Sequence, residues 1–195
     1  MNFKKIKLNA GMTYVELIVV LGIFSVLLAV VLFDYQKFQD RIDVRNLTNQ
    51  VAMSILSAQK DAISGRLNAN SFSSKPAYGV YFDIASNNKS YTYFADLNND
   101  FLFNSIGNCP AGECVDILGI SGDEFISSIR LEFFNTPPID PNTFSVVFTR
   151  PDSTPVFSAN GLVVNNVSNV ILNISSSAGP GGTIFINSFG RIQTN

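Results

Sequence analysis

The strongest constraint on this chain is a run of seventeen uncharged residues, Leu17 to Phe33, built mainly from Leu, Val and Ile. At 1.5 Å per residue, a helix over this run is about 25 Å long, and about 33 Å if counted from Met12. These lengths bracket the roughly 30 Å hydrocarbon core of a bilayer, so the segment can span one. Ahead of it lies MNFKKIKLNAG, with Lys4, Lys5 and Lys7 and no acid, and a basic flank of this kind stays on the cytoplasmic side. The small residues Asn9-Ala10-Gly11 precede the apolar run. A secretory signal carries its small-residue cleavage site after the run, whereas a cut here would leave the anchor on the protein. Glu16 opens the apolar helix, where a carboxylate costs about 2.5 to 3.5 kcal/mol on insertion scales. It needs a partner, or a place at the interface where the helix N-terminus tolerates negative charge.

The rest of the composition narrows function mostly by exclusion. The 195 residues include 13 Lys and Arg against 15 Asp and Glu, for a net charge of −2, and only 14% are charged, against about 25% in an average soluble domain. Beyond the apolar head lie roughly 150 residues, the size of one domain. There is no His, which excludes Ser-His-Asp triads, Cys-His pairs and His-rich zinc sites. No basic stripe marks a nucleic-acid surface.

Downstream of the apolar run, Val44, Leu47, Val51, Ile55, Ala58 and Ala62 recur at spacings of three and four, with charges mostly between them. That period predicts an amphipathic continuation of the same helix. Gly65, Asn68 and Asn70 then supply a stop, so one helix is expected from Thr13 to Ser64. From Lys75 on, β-branched and aromatic runs broken by Asn, Gly, Ser and Pro predict strands at 77–84, 90–95, 129–134, 144–149, 169–174, 183–187 and 190–193. A hairpin is expected around Ser86-Asn87-Asn88-Lys89, with turns at Thr136-Pro137-Pro138 and Ala178-Gly179-Pro180-Gly181-Gly182. The fold class is α+β: a long N-terminal helix, transmembrane then amphipathic, packed on an antiparallel β-sheet domain.

The lysine-rich leader followed by Gly11-Met12-Thr13-Tyr14-Val15-Glu16-Leu17-Ile18-Val19-Val20-Leu21-Gly22-Ile23 strongly resembles the prepilin signal of type IV pilins and type II secretion pseudopilins. The resemblance implies cleavage by a prepilin peptidase between Gly11 and Met12, N-methylation of Met12, and Glu16 as fifth residue of the mature chain. Members more often begin with Phe, so Met12 is a departure. The resemblance divides the chain into a leader at 1–11, a transmembrane and filament-core helix at 12–35, an amphipathic helix at 36–66 and a β-rich domain at 67–195. It also implies a single-pass inner-membrane protein with a cytoplasmic N-terminus, whose exported domain enters a filament with other pilin or pseudopilin subunits. Loss of three lysines with the leader leaves 10 basic and 15 acidic residues, a net −5. A free amine at Met12 would give Glu16 of a neighbouring subunit the partner it lacks. Gly22 and Ala29 either allow close helix approach or are ordinary membrane-helix composition. The segments 94–100, 148–152 and 184–191 look like those of the H-type minor pseudopilin and FimT-like minor pilin domain, which implies a low-copy subunit; a major subunit is the alternative.

Two local features remain. Asp96, Asn98 and Asp100 place oxygens at alternate positions, as the opening of an EF-hand loop does. Phe101 stands where that loop needs Gly, and Gly107 where it needs Glu. An Asx-rich turn is the stronger reading, and a Ca²⁺ site would need Glu113 or Asp116 to complete it. Cys109 and Cys114, the only cysteines, lie in the exported part, where a small disulfide loop is expected; free thiols are the alternative in a reducing compartment. The functional reading is a structural subunit without catalytic residues or an obligate cofactor. Its rivals are a membrane-tethered enzyme using Asp96 and Asp100 as acid and base, and a tethered binding module.

Overall fold

The computed structural model describes residues 12–67, 75–104, 109, 110, 112–152, 154–177, 179 and 181–195, excepting the side chains at 33, 34, 36 and 37. A single helix, α1, runs Tyr14–Ser64. The chain divides into two compact units between Gln39 and Asp40.

In the first unit, α1 is apolar on every side. Its segment Tyr14–Leu32 has a mean hydropathy of 3.0, and none of it is buried. The helix starts at Thr13, whose Oγ1 accepts the backbone N–H of Glu16 at 3.3 Å and whose carbonyl accepts that of Leu17. This Thr-x-x-Glu spacing is that of a capping box.

The second unit joins the remainder of α1 to two antiparallel sheets. The strands are β1 (Ala77–Asp83), β2 (Asn87–Asp96), β3 (Cys114–Gly119), β4 (Glu124–Phe133), β5 (Thr143–Phe148), β6 (Pro155–Ala159), β7 (Leu162–Val164), β8 (Val167–Ser176), β9 (Gly182–Asn187) and β10 (Ile192–Thr194). One sheet has the order β3-β2-β1-β5-β6-β7, the other β10-β9-β8-β4. All six apolar positions predicted for the amphipathic face are buried, none more than 6% exposed. They share one core with Tyr78, Phe82, Tyr91, Phe144 and Phe148 of the first sheet and with Leu131, Val170, Leu172, Ile184 and Ile186 of the second. Burying each of the Val, Leu, Ile and Phe side chains among them is worth about 1.5 to 3 kcal/mol. Polar anchors fix the helix against the sheets: Ser54 and Tyr91 share a hydrogen bond, and Gln59 Nε2 donates to the Gly190 carbonyl. At Gly182 the helix comes so close that a Cβ would collide with Thr48 Oγ1.

The helix ends as its sequence predicts. Gly65 adopts φ 67°, its N–H bonds the Ala62 carbonyl, and that of Arg66 reaches Asp61, which together make a Schellman motif. Asn68 and Asn70 lie outside the described residues.

Several expectations need correction. There are two sheets rather than one, and β3, β6 and β7 were not anticipated. The first hairpin turns through Ile84–Ser86, so Asn87 to Lys89 belong to β2 instead of the loop. The last strand begins at Ile192, because Gly190 with φ 78° sits in the turn before it. From Asp40 on, the helix supplies one wall of the core of the β-rich domain, as its amphipathic pattern leads one to expect.

Candidate functional site

Two places carry the residues the sequence singled out, and they are built differently. The first is the start of α1. Gly11 lies outside the described residues, as do Lys4, Lys5 and Lys7. Met12 is 62% exposed and precedes the helix, and Glu16 lies in its first turn. Glu16 is the only charged residue between Tyr14 and Leu32. It has no ion pair among the described residues. Gly22 has nothing within 4 Å of where a Cβ would be, so a neighbouring helix could approach there without obstruction.

The second is the loop leaving β2. Asp96, Asp100 and Glu113 bring one carboxylate oxygen each within 4.8 Å of one another. Glu113 is therefore the residue that joins the pair; Asp116 is exposed on β3. Every one of the six carboxylate oxygens already accepts an N–H. Asp96 holds the backbone of Asn99 and Phe101, and Glu113 that of Leu97 and Asn104. Asp100 takes Leu102 N–H and the side-chain amides of Asn98 and Asn104. Asn98 Oδ1 accepts the Asp100 backbone N–H. The loop is thus closed by its own donors, and amide N–H groups rather than oxygens face Asp100. These bonds are those of an Asx-rich turn, and a bound Ca²⁺, which takes six to eight oxygens, would have to draw on the same three carboxylates. Burial raises the pKa of Asp96, against the pull of its backbone donors and with a further push from Asp100. Glu113 is raised in the same way, with Asp96 and Asp100 adding to the shift.

Phe101, where an EF-hand needs Gly, takes φ 63° all the same. A left-handed backbone is costly for a bulky residue. Its ring is repaid by packing with Phe103 and Tyr81 against Ala77, Phe94 and Val147 on the outer face of the first sheet. That cover explains why β1 and β5 are buried on both faces. Cys109 and Cys114 are joined, with S–S 2.09 Å, so the disulfide ties the end of this covering loop to the start of β3.

A third cluster escaped the sequence reading. Tyr93 donates to Asp61 Oδ2 at 2.8 Å, Arg66 pairs with the same oxygen at 2.6 Å, and Tyr78 donates to the Arg66 carbonyl. Burial, then the hydrogen bond to Asp61, pushes the Tyr93 phenol above its ordinary range. This is a fastening of the helix end, and only the tyrosines on alternate positions of β2 hinted at it. No family model, curated protein or solved structure matches the chain.

Proposed function

We propose that this chain is a pilin-like filament subunit of the type IV pilin and type II secretion pseudopilin class. In this reading a prepilin peptidase removes residues 1–11, α1 holds the protein in the inner membrane, and the exported domain then joins a filament with other subunits. The observation that supports it most is the combination of an apolar helix with no buried residue over Tyr14–Leu32 and a lone carboxylate, Glu16, five residues into the chain that cleavage would leave. A helix apolar on all sides needs lipid or other helices around it, and a carboxylate among them needs a cation. The new amine at Met12 of a neighbouring copy supplies one. The H-type minor pseudopilin is the finer form of this proposal, resting on the short segments at 94–100, 148–152 and 184–191. A tethered enzyme needs none of these N-terminal features.

Glu16→Ala tests the proposal. The helix cap uses Thr13 and the backbone of Glu16, so Ala keeps it, and membrane insertion should improve. The variant should be nearly absent from sheared filament fractions. Normal amounts there would refute the pairing of Glu16 with a neighbour's N-terminus.

A further inference from the structure

Within the globular unit a groove runs between α1 and β10. The helix side is one row at spacings of three and four, Arg41, Arg45, Asn49, Ala52 and Leu56, with Met53 beside it. The other side is β10, which runs opposite to α1, with Thr194 toward Arg41 and Ile192 toward Leu56. Two hollows of about 400 and 460 Å³ make up the groove, and both are bordered by Asn49 and Thr194.

Three features of this groove each point to a different part of one ligand. First, β10 is the free edge of its sheet. Asn195 and Thr183 exchange both backbone hydrogen bonds, and the Arg191 carbonyl accepts from Asn187. By the alternation of an antiparallel ladder, the N–H and C=O groups of Ile192 and Thr194 therefore point away from β9 and have no partner among the described residues. Second, Met53 and Leu56 are 61% and 47% exposed, although the same turns of the helix bury Val51 and Ile55 completely. Third, Arg41 and Arg45 have no ion pair among the described residues. No acidic side chain lines either hollow, in a chain whose acids outnumber its bases.

A free backbone edge calls for a strand, the apolar wall for apolar residues at alternate positions, and the arginines for a carboxylate. A small anion would use the arginines alone, and a nucleic acid has no backbone N–H groups to offer the β10 carbonyls. From Arg41 to Leu56 the helix rises about 22 Å, the length of an extended segment of about six or seven residues. Antiparallel pairing is the more stable kind. It would run such a segment along the direction of α1, so that its N-terminal end meets the arginines.

We propose that this groove binds an extended peptide segment of a partner protein, which adds to β10 as an antiparallel strand. Apolar side chains at alternate positions rest against Met53 and Leu56, and an acidic side chain near the N-terminal end pairs with Arg41 and Arg45. Because β10 is short, main-chain pairing cannot hold the ligand alone; the apolar wall and the arginines supply the rest and fix its direction. The groove lies wholly within the globular unit, so the proposal stands independently of the filament reading.

The test uses the full-length protein in detergent and a synthetic probe, acetyl-Asp-Thr-Val-Thr-Val-Thr-Val-amide carrying an uncharged fluorophore at its C-terminal end, followed by fluorescence anisotropy. Saturable binding is expected. Replacing the probe's Asp by Asn should weaken it about tenfold. Arg41→Glu with Arg45→Glu should weaken the Asp probe by a similar factor and leave the Asn probe unchanged. Thr194→Pro removes one outward N–H and keeps the ladder to β9, since an edge strand accepts proline where its nitrogen faces away from the sheet; it should weaken both probes several-fold. No saturable binding, equal affinity for the two probes, or indifference to the arginines or to Thr194→Pro would overturn the proposal. So would a single-stranded oligonucleotide that displaces the probe and binds more tightly. A chain that is dimeric without the probe and monomeric with it would give the groove to a second copy, and would overturn the proposal as well.

Discussion

The two halves of α1 are equally helical and nearly opposite in what they do with apolar side chains. From Leu17 to Leu32 the large apolar residues are 45 to 66% exposed, while Val44, Leu47, Val51, Ile55, Ala58 and Ala62 are at most 6% exposed. The second half has fewer apolar residues and buries them better, because they share a period that gives the helix one face. The first half has no polar face at all, so no single sheet could cover it. The amount of apolar surface therefore does not locate the core of this protein; its periodicity does. A segment of this length and hydropathy can lie in a bilayer, as a membrane anchor or as a signal sequence.

The comparison breaks most readily by trimming one side chain in each half. Ile55→Ala should destabilise the globular unit by about 2 to 5 kcal/mol, the usual cost of a cavity in a packed core. Leu28→Ala should leave the unfolding of that unit unchanged, with both measured on full-length protein in detergent. Equal losses would mean that the first half packs on the domain after all. A smaller effect is expected at the disulfide. Replacing Cys109 and Cys114 by Ser removes a closed loop with a sequence separation of 5, worth at most about 2 kcal/mol by loop entropy. The change should speed amide exchange in the loop at 96–104 and leave α1 protected; faster exchange in Val51 or Ile55 would show a wider role.

The smallest effect concerns the acidic loop. Asp96 and Glu113 have raised pKa values in the folded chain, so folding takes up protons there. Their contribution is fully present below the ordinary carboxylate range and is lost as pH rises through the raised values, the reverse of a salt-bridged carboxylate. Carboxyl titrations by NMR should place both midpoints above the ordinary range, and midpoints at or below it would contradict the burial argument. Because donors already occupy all six oxygens, Ca²⁺ should not raise the melting temperature over EGTA; a higher value in Ca²⁺ would make the loop a cation site.

How much of this was legible in the sequence follows the range of the interactions involved. The period of α1 and its Gly65 stop are local, and both were readable. The Ala159-Asn160-Gly161-Leu162 turn between β6 and β7 was also local and was missed, although Asn-Gly with φ 51° and 77° is a strong hairpin signal; the two strands it joins are only five and three residues long. β3 was hidden for another reason. Cys114-Val115-Asp116-Ile117-Leu118-Gly119 alternates weakly and is an edge strand, recruited by pairing with β2. The acidic cluster was half legible: the spacing of Asp96, Asn98 and Asp100 announced a turn, the sequence left Glu113 and Asp116 open as the third acid, and the return of β3 along β2 brings in Glu113. Nothing in the sequence announced that β10 would run beside Arg45 and Leu56 of α1.

The claim beneath all of this is that the N-terminal half of α1 is exposed because it is a processed membrane and filament helix. Intact-mass measurement on membrane-extracted protein tests it most directly. The account predicts a chain that begins at Met12, lacking residues 1–11, with one added methyl group. A mature chain that keeps the leader, or begins at any other residue, would contradict it.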